Sequence, residues 1–118
     1  MPRVLLPLDH LPDIWPEKGA RVGALLHPAS VSAALEHASQ ILERGDGKLW
    51  RLRALFGPQH GYLGQTQDNM VEWKSYEHAR LGIPVHSLYG EHREPTGSML
   101  ENLDVVLIDL QDVGARYY

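Results

Sequence analysis

With 118 residues, 43% of them hydrophobic, the chain is large enough for one domain with a real core and too short for two. A net charge of −4 with 11 scattered basic residues argues against a nucleic-acid partner, and the absence of cysteine excludes disulfides and thiol chemistry.

Residues 1–20 are cut by Pro2, Pro7, Pro12 and Pro16 and carry Asp9 and Asp13. They read as an irregular start, neither the apolar core of a signal peptide nor a membrane span, so a cytoplasmic protein without membrane contact is expected. Residues 21–118 are then expected to form one α/β domain. Arg21-Val22-Gly23-Ala24-Leu25-Leu26-His27 is a short apolar run ended by Pro28, and it predicts a buried strand. Ser30 is placed to cap a helix whose apolar face is Val31, Leu35, Ala38 and Leu42, with Gly45 as its stop.

Residues 50–56 predict a second strand, with Leu52, Ala54 and Phe56 on one side and Arg51 and Arg53 on the other. A long polar connection follows, of a length that in compact domains is often functional. Residues 76–81 read as a short helix, 83–88 as a third strand, and Thr96 as the cap of a short helix through Met99, Leu100 and Leu103. Val105-Val106-Leu107-Ile108, between Asp104 and Asp109, is the clearest strand of all. The alternation predicts a Rossmann-like parallel sheet with flanking helices. Its carboxyl edge should gather His27, Gln59 with His60, Ser87 with Tyr89, and Asp109 with Asp112.

Two stretches at that edge carry chemistry. Leu55-Phe56-Gly57-Pro58-Gln59-His60-Gly61 breaks a buried strand on chain breakers and presents two polar groups. His60 suits acid, base or hydrogen-bond work, since an imidazole titrates near neutrality. In the stretch from Asp109 to Tyr118, a turn would set Asp109 and Asp112 roughly 5 to 9 Å apart, the range of paired-acid glycoside hydrolysis. The alternative is structural, with Asp109 capping a turn and Arg116 pairing with Asp112. None of the seven histidines has zinc spacing, so no metal and no other cofactor is expected. His37 and His78 are assigned to polar helix faces. Gly61-Tyr62-Leu63-Gly64 lacks the Rossmann dinucleotide fingerprint, and no Walker loop is present. Trp73 is open to two uses, stacking on a sugar ring or anchoring its loop.

The loop from Leu55 to Gly61, Ser87-Leu88-Tyr89-Gly90, Arg93-Glu94-Pro95-Thr96 with Met99-Leu100, and the run from Asp104 through Asp109-Leu110-Gln111-Asp112-Val113-Gly114-Ala115-Arg116-Tyr117-Tyr118 occur in this order. In that order the chain resembles the peptidoglycan exo-β-N-acetylmuramidase family from about residue 21 onward. The resemblance implies a Rossmann-like amino-terminal domain, a second domain that this chain lacks, and removal of N-acetylmuramic acid from cell-wall fragments. The chain's stop directly after a dense polar motif fits a piece of a longer protein. Gln59, His60, Gly61, Tyr89, Asp109, Gln111, Asp112 and Arg116 are then the implied site positions, with Asp68 and Asn69 of the long loop added as substrate contacts. His60, Asp109 and Asp112 would be catalytic, and Arg116 would hold a lactyl carboxylate.

One departure matters: the family's loop carries Glu where this chain has Gln59. An amide cannot donate and retrieve a proton as a carboxylic acid does. Glu72, Glu91, Asp68 or Asp109 would have to substitute, or the chain is a sugar-binding or regulatory module without its acid. A metal-dependent hydrolase using His60 and Asp109 is a third reading. The expected partner is an amino-sugar or muropeptide; the sequence assigns no oligomeric state.

Overall fold

The computed structural model describes residues 6–15, 18–59, 61–63 and 72–111. Five strands form one sheet in the order β3-β4-β2-β1-β5: β1 (Ala20–Leu26), β2 (Trp50–Gly57), β3 (Tyr76–Glu77), β4 (Pro84–Ser87) and β5 (Val105–Asp109). β4, β2, β1 and β5 run parallel, and β3 pairs antiparallel with β4 at one side. β1 lies between β2 and β5, which is why its apolar run is nearly continuous. Arg21 and Asp104 lace the start of β1 to the entry of β5. The Arg21 backbone N–H donates to Asp104 Oδ2 at 2.8 Å, and its guanidinium donates to both carboxylate oxygens.

Three helical segments flank the sheet: α1 (Leu11–Ile14), which follows a 3-10 turn over Pro7–His10, α2 (Ala38–Gly45) and α3 (Gly97–Leu100). Within the Pro-rich start, Leu8 and Leu11 are buried in the core. Trp15 packs on Trp50 with ring centroids 4.9 Å apart. α2 turns Ala38, Ile41, Leu42 and Gly45 inward, at the spacing of a single helical face. α3 is capped as its sequence predicts, with Thr96 Oγ1 accepting from the Met99 N–H.

Three local expectations are corrected. α2 begins at Ala38, with His37 as its cap, rather than after Ser30. Leu35, assigned to the apolar face, is 80% exposed and has φ +62, outside any helix. The Ser30 hydroxyl is committed to the ends of β1 and β5, so it does not cap. The helix expected over 76–81 is instead the edge strand β3 followed by a turn. Here His78 N–H donates to Ile83 O, and Gly82 takes the left-handed conformation at φ +65.

The third correction concerns β2. The register against β1 passes from Val22↔Leu52 to Gly23↔Ala54, a bulge that skips Arg53. Beyond it the alternation shifts by one. Leu52 and Leu55 both join the core, whereas Arg53 and Ala54 both border a groove beside Met99 and Leu103. Phe56, expected on the Leu52 side, packs instead on the His86 ring at 5.0 Å.

Candidate functional site

The parallel strands bring their carboxyl ends to one edge, and two clusters of polar groups stand there side by side. At the β1–β5 end, His27 is 1% exposed. Its Nε2 accepts the Gln111 backbone N–H at 2.6 Å. The His27 N–H donates to Ser30 Oγ at 3.0 Å, and that hydroxyl donates to the Asp109 carbonyl at 2.5 Å. His37 Nε2 donates to the His27 carbonyl at 2.9 Å, while its Nδ1 accepts from Ser39 N–H in capping α2. Gln111 Nε2 in turn donates to Asp109 Oδ1 at 3.2 Å.

At the β2–β4 end, the chain leaves Gly57 through a turn in which Gly61 N–H donates to Pro58 O at 3.0 Å. Gly61 itself has φ +75, where a side chain would be strained. Gln59 is buried in this turn. Next to it, burial and the nearby Tyr76 push the Tyr62 phenol up to about 12. Trp73 ties this turn to the one after β4. Its Nε1 donates to Pro58 O at 2.9 Å and its backbone N–H to Tyr89 O at 3.1 Å. Of the two uses open to Trp73, the structure shows the anchoring one. Arg93 lies over the Tyr89 ring at 3.9 Å and donates to Glu72 at 2.6 Å. The two clusters meet where the His37 and Tyr62 rings approach to 6.2 Å.

A cleft of about 580 Å³ opens beside the β4 end, bordered by Glu72, Trp73, Ser87, Gly90, Glu91 and His92. It holds two of the carboxyl groups considered as replacements for the missing acid. Glu72 is engaged by the Arg93 guanidinium. Glu91 is exposed at the rim.

Of the ten expected site residues, Asp109 and Gln111 touch directly, and Gln59, Gly61 and Tyr89 share the second cluster. His60, Asp68, Asn69, Asp112 and Arg116 lie outside the described residues, and so does the Asp109 to Asp112 separation. The metal reading rests on His60 with Asp109, and through His60 it too lies outside the described residues. Among the described residues no group of three or more His, Asp or Glu is arranged to hold a metal, and no helix is long and apolar enough to cross a membrane. What sequence reasoning missed is the support around Asp109: Ser30 was read as a helix cap and His37 as a residue on a polar face. His27 was expected at the edge but not as a site residue; its signal was a histidine ending an apolar strand run.

Two imidazoles, one buried at His27 and one half-buried at His86, give the fold an acid limit. Burial holds the His27 and His86 rings below the ordinary imidazole value. The unfolded chain therefore takes up those protons more readily, so this contribution is full above about pH 6.5 and is lost as pH falls through the depressed folded values. Asp104 is held at about 2, first by its hydrogen bond from the Arg21 side chain. Its contribution begins to fail only below about pH 4. Thermal melts should be level from pH 8 to 7, decline below pH 6.5 and decline again below 4. A flat melting temperature between pH 7.5 and 4.5 would contradict the histidine assignment.

The sheet order and the polar carboxyl edge define a Rossmann-like α/β domain, a class in which ligands bind beyond the strand ends. The chain belongs to the family described as exo-beta-N-acetylmuramidase NamZ, N-terminal, which matches residues 22–118. It is 43% identical over 120 residues to the peptidoglycan beta-N-acetylmuramidase NamZ of Bacillus subtilis (strain 168), covering 99% of this chain and 28% of that protein. A crystal structure of a DUF1343 family protein from Bacteroides fragilis NCTC 9343 is similar, with a TM-score of 0.66 and 36% identity over 84% of this chain. The match covers 23% of that solved chain, so the present chain spans about a quarter of either relative.

Proposed function

We propose that this chain is the amino-terminal portion of a glycoside hydrolase relative that takes N-acetylmuramic acid from the end of peptidoglycan fragments. The observation that supports it most is the joining of Asp109 and Gln111 at the same sheet edge as the Gln59–Gly61 turn and Tyr89, in a chain of this family. Glycosidic cleavage passes through a sugar carrying positive charge, and a carboxylate held in place stabilises it. Asp109 or Asp112 takes that role, His60 bonds the sugar or relays a proton, and Arg116 pairs with the lactyl carboxylate. Asp68, Asn69, Tyr89 and Gln111 contact the sugar. With Gln59 in the place of a glutamate, Glu91, exposed at the cleft rim, is the proposed proton donor.

Gln59 also favours a second reading, in which the chain binds such sugars without cleaving them. The two are separated by offering a chromogenic β-N-acetylmuramide and the matching glucosaminide, first to this chain and then to a chimera carrying the remainder of the Bacillus subtilis relative. Release from the muramide alone, falling by about 10²-fold or more in Asp109→Asn, is the result expected of the hydrolase. Saturable binding without release favours the binding module. Arg116→Ala should weaken binding of the muramic sugar far more than the glucosamine sugar; equal loss for both removes the lactyl assignment.

A further inference from the structure

We propose that His27, through the lone pair of its neutral ring, is the positioning residue that holds Asp109 and Gln111 at the carboxyl edge, and that uptake of a proton by this ring releases them. As far as sugar binding is concerned, this rests on the function proposed above; the geometry stands independently of it.

The register places Leu26 beside Asp109, so His27 stands next to the segment that leaves β5. A backbone N–H donates to its Nε2, hence Nε2 carries the lone pair and the neutral ring has its proton on Nδ1. That Nδ1 is buried and has no hydrogen-bond partner among the described residues. Leaving a buried donor unmet is unfavourable, so among the described residues the ring's contribution comes through its other nitrogen. Nor is its backbone free to swing. The N–H is held by Ser30 Oγ, the carbonyl by His37 Nε2, and the same Ser30 hydroxyl clamps the Asp109 carbonyl. Asp109 and Gln111 are thereby fixed to β1 at two points, and Gln111 Nε2 orients the Asp109 carboxylate.

A proton on Nε2 would set two N–H groups against each other at 2.6 Å, and the Gln111 segment would have to leave. Among the described residues, the titratable groups facing the ring are Asp109 from β5, which favours the proton, and His37 from the cap of α2, which opposes it. Burial is the largest influence and also opposes it, so the neutral, holding form prevails at neutral pH.

The test is a pH titration of the 15N-labelled chain by NMR from pH 8 to 5, following the His27 ring nitrogens and the Gln111 amide. The expected result is one shared midpoint below 6.5, with loss of the coupling across the N–H···N bond and no change at the Leu42 amide in the α2 core. A Gln111 amide indifferent to the His27 titration overturns the proposal, whether or not any sugar binds. Where N-acetylmuramic acid binds, affinity should fall roughly tenfold over the same interval. His27→Gln, an acceptor that does not titrate, should keep the neutral-pH affinity and flatten the profile, whereas His27→Phe should bind weakly at every pH. Wild-type affinity and pH profile in His27→Phe would also overturn it, since a merely structural filler predicts that result. Should neither variant fold, the wild-type titration decides.

Discussion

Replacing Trp50 by alanine should cost about 3–5 kcal/mol, enough to remove most of the stability of a domain whose total is about 5–15 kcal/mol. Trp50 opens β2 with 1% of its surface exposed, wedged between Trp15 and α2. Gly45 makes room for it, since a Cβ there would lie 2.3 Å from the indole. The indole also serves the end of α2. Leu42 is among the last four helical residues, whose carbonyls lack partners within the helix, and Trp50 Nε1 donates to that carbonyl at 2.7 Å. Alanine would leave both a cavity and an unmet acceptor. Trp50→Phe keeps much of the volume and loses only the donor, so it should fall between the two. Urea unfolding measures all three; a loss below about 1 kcal/mol for alanine would mean that the indole is not the keystone of this layer.

On the function proposed above, Gly57→Ala should leave the sheet folded and reduce binding of the muramic sugar by about 10²-fold. The added Cβ would lie 2.8 Å from the Tyr62 backbone nitrogen, 2.9 Å from the Trp73 ring and 3.0 Å from the Gly61 carbonyl carbon. Neither side gives easily. The first and last of these atoms are backbone, and Trp73 is anchored at Pro58 and Tyr89. The turn that presents Gln59 must therefore move, at an overpacking cost of about 1–3 kcal/mol. An unchanged far-UV spectrum with lost affinity is the expected pair of results. Undiminished affinity would take the Gln59–Gly61 turn out of the binding site.

These two sites differ in how legible they were. Gly57 and Pro58 stop a strand by their own backbone chemistry, so the placement of Gln59 at a strand end followed from local rules. The partner that locks the turn, Trp73, is 15 residues from Pro58, and its donor has no local partner to announce it. Likewise, β5 was readable as an apolar run between aspartates, yet the hold on its far end comes from His27, 84 residues away from Gln111. Even errors of local reading had non-local causes. Ser30 is a good cap by composition, but its hydroxyl is claimed by Asp109 across the sheet. The β2 alternation failed at Arg53 because a bulge is a property of two strands in register, which one strand's pattern does not contain.

By itself, then, the sequence determined the α/β class, the parallel order of apolar strands, the family and the edge where polar residues gather. Those features arise from periodicity, chain breakers and motif order, each written over a few neighbouring residues. Tertiary structure alone decided that α2 starts at Ala38, that β3 is a strand, and that Trp73 is an anchor. It alone decided as well that a buried histidine holds the Asp109 segment. Each of these depends on a hydrogen bond or a contact whose partner lies far along the chain, and such a partner exists only once the sheet has formed.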